Sequence, residues 1–217
     1  MSNVPPIPKR FRLIDETNWN DYHYIGPGDE CLYIWERMSK VKVGEWDQYP
    51  ANRLISNLQI PISCKTENPF RYKHKISAVK HAAQALGKLM GDFRDVGTCV
   101  PVPPSKVRDD PEHDPRLLKV LRAVRPPLTD IRELILLKEN CDAKQKGRTP
   151  EERSRDYRVN EEEAEPEPTT IVIVDDVLTT GCHFKAVKTV LERRFQGASI
   201  YGIFLTRAVR PPEDFEF

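Results

Sequence analysis

The stretch Thr169–Phe184, reading TTIVIVDDVLTTGCHF, constrains the fold of this chain more than any other. Its four apolar residues, Ile171–Val174, make a strand buried on both faces. A helical pattern follows from about Phe184 to Phe195, with Ala186, Val187, Val190 and Leu191 inward; Gly197 breaks it, and Ser199–Leu205 reads as another strand. Strand, helix, strand in that order argues for a parallel sheet with helices on its faces, because parallel neighbours need a crossover between them.

The remainder of the chain is read around this unit. Ile76, Val79, Ala83, Leu86 and Met90 recur at helical spacing, with Gly91 as the stop. Thr98–Val102 reads as a buried strand running into a proline cluster. Asp114 and Pro115 read as the cap and first position of a short helix with Leu117, Leu118, Val120 and Leu121 inward. Another strand is expected at Leu134–Leu137. A polar excursion, 138–168, then includes the capping-box pattern Thr149, Pro150, Glu152 and ends in an acidic run, Glu161–Glu167, expected to be exposed and mobile. Residues 1–70 hold all three tryptophans and form an aromatic extension or cap ahead of a 71–217 domain. Cys31–Trp35 has the length of a short strand and Asn52–Ile60 carries apolar Leu54, Ile55, Leu58 and Ile60, but neither stretch is periodic enough to assign. The plainer alternative for these aromatics is that they complete the core.

Composition narrows the function classes. With 34 basic and 33 acidic side chains the net charge is +1, which gives no overall electrostatic footprint for nucleic acid or membrane; such an activity would need a local patch. No apolar run approaches the ~20 residues that cross a bilayer, and Met1–Arg12 lacks a signal-peptide core, so a cytoplasmic protein is expected. Cys31, Cys64, Cys99, Cys141 and Cys182 have no CxxC spacing and read as free thiols. His74 and His81 lack carboxylate or cysteine company and read as solvated rather than as metal ligands.

Two acids, Asp175 and Asp176, stand where the strand should emerge at the carboxyl edge of the sheet, the edge at which open α/β folds bind ligands. Thr179, Thr180 and Gly181 make a small polar turn into a helix. Backbone N–H groups at a helix start suit a phosphate monoester, and carboxylates suit the hydroxyls of a sugar diol. Side by side, these describe recognition of a ribose 5-phosphate. The order is the reverse of a Walker loop, and no dinucleotide glycine pattern is present. The alternative is that one Asp caps the following turn while the threonines satisfy backbone groups.

These residues resemble the PRPP-binding motif of type I phosphoribosyltransferases, and over about Cys99–Arg207 the chain looks closest to the ComF-like branch. The resemblance implies a Rossmann-like, type I phosphoribosyltransferase fold with an N-terminal hood. It implies that Asp175 and Asp176 contact ribose hydroxyls as the catalytic acids. Thr179, Thr180, Gly181, Cys182 and His183 would hold the 5-phosphate, with His183 where the family usually has Thr or Ser. Pro104, Ser105 and Lys106, with Arg108 nearby, would receive pyrophosphate. Lys144, Gln145, Lys146 and Arg148 would form a basic flexible loop over the substrate. Mg2+ would bind through PRPP, with Asp175 and Asp176 near it and no direct metal site otherwise. The N-terminal cysteine cluster and the RGFN-like run of the branch are absent from this sequence.

The implied function is transfer of phosphoribosyl from PRPP to a nitrogenous acceptor with release of pyrophosphate. The alternatives are a non-catalytic PRPP- or nucleotide-sensing regulator, or an effector subunit of a bacterial DNA-uptake or defence module. PRPP or a related nucleotide, a protein partner through the N-terminal segment, and a second copy in a homodimer are the expected partners. Base specificity would come from the N-terminal segment or the tail 208–217, with Phe204, Tyr201 and Trp46 as stacking candidates, each more ordinary as a core residue.

Overall fold

The computed structural model describes residues 4–39, 41, 48–91, 95, 97–141 and 147–210. Its elements are β1 (Arg12–Ile14), β2 (Cys31–Met38), α1 (Pro50–Leu58), α2 (Cys64–Glu67), α3 (Pro69–Met90), β3 (Thr98–Pro101), α4 (Arg116–Ala123), β4 (Ile135–Leu137), α5 (Pro150–Ser154), β5 (Tyr157–Val159), β6 (Thr170–Leu178), α6 (Cys182–Arg194) and β7 (Ser199–Val209). The central sheet has the order β1-β2-β7-β6-β3, parallel except for β1, and helices flank it: an α/β fold of Rossmann-like character. A separate antiparallel pair, β4 with β5, lies beside it.

The β6–α6–β7 unit forms as its pattern dictates. Ile171, Ile173 and Val174 are fully buried, as are Ala186, Val187 and Leu191, while Val190 is half-buried. Gly197 takes φ +88, the left-handed turn that reverses the chain between α6 and β7. The Thr149 cap is realised in full: its hydroxyl accepts from the Glu152 amide, and the Glu152 carboxylate accepts from the Thr149 amide.

Three local expectations are corrected. Ile76 is exposed and Val79 half-buried, whereas Ala83, Leu86 and Met90 are buried as expected; the helix starts earlier, at Pro69 with Asn68 as its cap, and its buried face also takes in Lys75, Ala78, Ala82 and Ala85. Asp114 does not cap α4, which begins at Arg116 with Pro115 as its N-cap; Lys75 and Arg116 draw the Asp114 carboxylate sideways. His81 is not solvated but stacks on Trp35 at 5.6 Å and bonds the Pro5 carbonyl through Nε2.

The N-terminal segment is part of the sheet rather than beside it. β2 pairs with β7 along its length, and the indole of Trp35 donates to Pro6. The glutamates of 161–167 include a 3-10 turn, Glu161–Glu163, and Arg194 of α6 bridges Glu161, Glu165 and Glu167. All five cysteines are free thiols, four of them buried. Among the described residues no helix is long and apolar enough to cross a membrane.

Candidate functional site

β6 runs longer than its neighbour β3. β3 pairs with Ile171–Val174 only, ending at Pro101, while β6 continues through Leu178 along β7. The two acids therefore emerge just past the end of β3, at the carboxyl edge of the parallel sheet, where a cleft of about 340 Å3 opens. Pro103, Pro104 and Ser105 form one wall of it, the start of α4 another, and Thr179, Gly181, Cys182 and His183 a third.

Successive side chains of a strand point to opposite faces, so Asp175 and Asp176 enter different surroundings. Asp175 shares its face with its β7 partner Phe204, which packs edge-on against Phe184 of α6 at 5.8 Å. Its Oδ1 accepts from the Asp176 amide at 2.8 Å. Burial and the adjacent Asp176 charge raise the Asp175 carboxyl to about 8, against the pull of that amide and of Arg116. It carries a proton at neutral pH.

Asp176 turns to the opposite face. There Oδ2 accepts from Gln59 Nε2 at 2.9 Å and from Arg116 Nε at 2.9 Å, and the second Arg116 nitrogen completes the ion pair at 2.8 Å. Burial alone would raise this carboxyl, but the Arg116 charge and the Gln59 and Arg116 hydrogen bonds hold it below the ordinary carboxylate value.

The pair is extended by groups that the sequence reading passed over. Lys75, buried in α3, donates to Leu58 O at 2.6 Å, Ile60 O at 2.8 Å and Asp114 Oδ2 at 2.6 Å. Asp114 lies 3.6 Å from Arg116. A chain of alternating charge, Lys75–Asp114–Arg116–Asp176, thus runs from inside α3 to the cleft. Arg116 had a findable signal: a carboxylate at a buried strand end requires a cation, and the first turn of α4 supplies one. Lys75 had none, since a lysine on an amphipathic helix reads as surface.

The turn before α6 is fixed from behind by the N-terminal segment. Gly181 has φ +83, and a Cβ there would come within 2.6 Å of the Ile25 side chain. Tyr24 N–H donates to Thr180 O at 2.9 Å, and Thr180 Oγ1 accepts from Cys182 N at 3.3 Å. The loop carrying Ile25 is tied to α6 in turn, through Asp29 with Lys185 at 2.9 Å and Lys188 at 3.0 Å. Thr179 and Thr180 are exposed, and Thr180 stands outside the cleft lining.

His183 is exposed on its open side, but desolvation by the surrounding cleft walls, together with the Arg153 and Arg116 charges, lowers its imidazole to about 4, against the pull of Asp176. It is neutral at physiological pH. Lys106 does not line the cleft; its carbonyl accepts from His113 Nδ1 at 2.9 Å. Arg108 pairs with Glu133 at 3.1 Å. Arg148 forks onto Asp156 at 2.6 and 3.0 Å, while the Cys182 thiol donates to its carbonyl. Lys144, Gln145, Lys146 and Trp46 lie outside the described residues, as do Pro211–Phe217. Phe204 is buried against Phe184 and Tyr201 is half-buried on β7.

The cleft thus offers a neutral carboxyl, a guanidinium-clamped carboxylate, a helix N-terminus entered through a glycine turn, and Arg37, whose buried Nε has no partner among the described residues. This arrangement can receive a polyhydroxylated anion. No family model matches the chain, and no curated protein matches it.

Proposed function

We propose that this cleft binds a ribose 5-phosphate ester, PRPP being the best fit, and that the protein transfers its phosphoribosyl group to a nitrogenous acceptor with release of pyrophosphate. The observation that carries this reading is the meeting, in one cleft, of Asp175 and Asp176 with the Gly181 turn at the start of α6. The resemblance of the TTIVIVDDVLTTGCHF stretch to the type I phosphoribosyltransferase motif, and with it the type I form of the fold, belongs to the same proposal.

In this reading the amides at the start of α6, aided by its dipole and the Thr179 hydroxyl, hold the 5-phosphate. Asp175 and Asp176 meet the ribose hydroxyls, one as a protonated partner and one as a pure acceptor. The Ser105 amide and hydroxyl, beside Pro104 in the cleft wall, face the pyrophosphate. Displacement at C1 through an oxocarbenium-like transition state asks for positioned charge rather than a covalent nucleophile, and the rigid salt-bridge chain behind Asp176 holds that charge still.

Two hard carboxylate oxygens beside a cleft suit Mg2+, which keeps waters and takes substrate oxygens, and no cluster of three acidic, histidine or cysteine ligands exists among the described residues to hold a metal without substrate. Bound Mg2+ would neutralise charge on the departing pyrophosphate. Asp175 would have to lose its proton to serve as a ligand, so Mg2+-dependent binding should strengthen as pH rises toward 8.

A second reading has its own support: Gln59 and the Arg116 guanidinium already occupy Asp176 Oδ2, and a neutral His183 stands in the phosphate turn. That arrangement suits a nucleotide sensor that binds without turnover. Calorimetric titration with PRPP, with and without Mg2+, tests binding; a pyrophosphate-release assay over a panel of nitrogenous bases separates the two readings. Micromolar binding, about −8 kcal/mol, that needs Mg2+ and is lost in Asp175→Asn/Asp176→Asn is expected. A folded protein that ignores PRPP would overturn both.

A further inference from the structure

Many cations near the cleft and on α6 and β7 are paired: Arg116, Lys185, Lys188, Arg194 and Arg207 each meet a carboxylate within 3.1 Å. The outer surface of α3 and α4 is different. Between Pro69 and Met90 the sequence has no acidic residue, and between Arg116 and Arg125 it has none either.

On α3 the residues Phe70, Lys73, Ser77, Lys80, Gln84 and Lys88 follow steps of three and four, which puts them on one stripe, and all six are exposed. Lys80, Gln84, Gly87 and Lys88 share a groove with Ala123 and Arg125 at the end of α4. Gly87 permits this close approach, since a Cβ there would come within 2.6 Å of the Arg125 carbonyl. Lys119 and Arg122 are also exposed on α4. Among the described residues none of Lys73, Lys80, Lys88, Lys119, Arg122 and Arg125 makes an ion pair; Arg125 instead donates to the Arg122 and Val124 carbonyls.

We infer that this face binds single-stranded nucleic acid through its phosphate backbone. From Lys73 to Lys88 a helix rises roughly 22 Å at about 1.5 Å per residue, a length that several consecutive phosphates can follow. Unpaired cations in a row, without intervening acids, match a polymer of regular negative charge. Phe70 and Ile76 are the exposed large hydrophobics of this helix, and two separate side chains do not make the dry centre that a protein partner requires. Phe70, 73% exposed at the head of the stripe, offers the aromatic face on which an unpaired base stacks and a duplex cannot. Overall neutrality does not oppose this, because the potential that matters is local.

The test is fluorescence anisotropy with a labelled 20-nucleotide oligo(dT), its RNA counterpart and a duplex of the same length, across a salt series. The full-length protein should bind the single strands, and Lys80→Glu/Lys88→Glu should bind at least tenfold more weakly. Replacing two cations should also flatten the log–log salt slope by about 1.4, at ~0.7 per phosphate contact on a single strand. Arg158→Glu/Arg193→Glu, an equal charge change on other exposed surface, should leave binding within twofold, and both variants should keep the wild-type circular dichroism and melting temperature. Phe70→Ala should weaken single strands and not the duplex. Equal losses in the two charge-reversed variants, stronger binding to the duplex, displacement by polyglutamate as effective as by oligonucleotide, or no binding at 100 mM salt would each overturn the inference.

Discussion

The two faces of the sheet at the end of β6 treat identical side chains in opposite ways. On the α6 face, Asp175 lies near Phe204, Phe184 and the buried Tyr157, with one amide donor, and is driven to its protonated form near 8. On the α1–α4 face, Asp176 is the terminus of an alternating charge chain and stays ionised. Neighbours in sequence are thus a neutral donor and a fixed anion, because the pleat turns them into surroundings of opposite character. The lesson is that a DD doublet at a strand end is not two copies of one group.

The charged face is the easier to break. Replacing Asp176 by Asn leaves the Arg116 guanidinium without its closest counter-charge, and half-breaking such a pair costs about 3–5 kcal/mol when it is buried; a fall in unfolding free energy of that size, read from a lowered denaturant midpoint at unchanged slope, is expected. Lys75→Met should do comparable harm by stranding Asp114 and two carbonyls; urea titration reads that loss, and calorimetric titration of the variant with PRPP shows whether the charge chain couples to the cleft.

Asp175→Asn should behave in the opposite sense. A carboxyl whose folded value is raised binds a proton that the unfolded chain has released, so wild-type stability declines as pH rises from about 4 to about 8 on account of Asp175. Asparagine keeps the neutral shape and removes that slope. Melting temperatures at pH 5 and pH 8 should therefore converge in the variant and the protein should gain on the order of 1–2 kcal/mol at pH 8, at roughly 1.4 kcal/mol per unit and with allowance for the opposing Arg116 charge. A variant that melts lower than wild type at pH 8 would contradict the neutral Asp175.

Gly181→Ala addresses the turn that both faces share. The left-handed φ and the Ile25 contact predict a loss of about 1–3 kcal/mol together with weakened phosphate binding, read by titration with inorganic phosphate. The smallest effect is at Thr149: removing the capping hydroxyl should cost about 1 kcal/mol, confined to α5 and the α6 surface it packs on, and visible as faster hydrogen exchange there.

Much of the site side of this comparison was legible in the sequence, because strand period, turn glycine and capping box are local properties. β6, α6, β7, the Thr149 cap and the cleft position of Asp175, Asp176, Thr179, Gly181 and His183 all follow from patterns within a few residues. The opposite states of the two acids were not legible. They depend on Gln59 and Arg116, 117 and 60 positions from Asp176, which meet it only through packing, and on Lys75, 101 positions away, which acts through Asp114 and Arg116. The role of the N-terminal segment was hidden for the same reason. Ile25 and Tyr24 brace the Gly181 turn across the fold, and β2 joins the sheet through β7, a pairing with no local signature. Ile76 misled because the helix begins at Pro69 and buries lysine and alanine where leucine would be expected.

Carboxyl carbon titration by NMR, with Asp175 and Asp176 assigned through the two asparagine variants, tests the central claim most directly. The account predicts one midpoint near 8 for Asp175 and an Asp176 that remains ionised below the ordinary carboxylate range. Two midpoints together near 4 would contradict it, and would remove the division of labour on which the proposed ribose recognition rests.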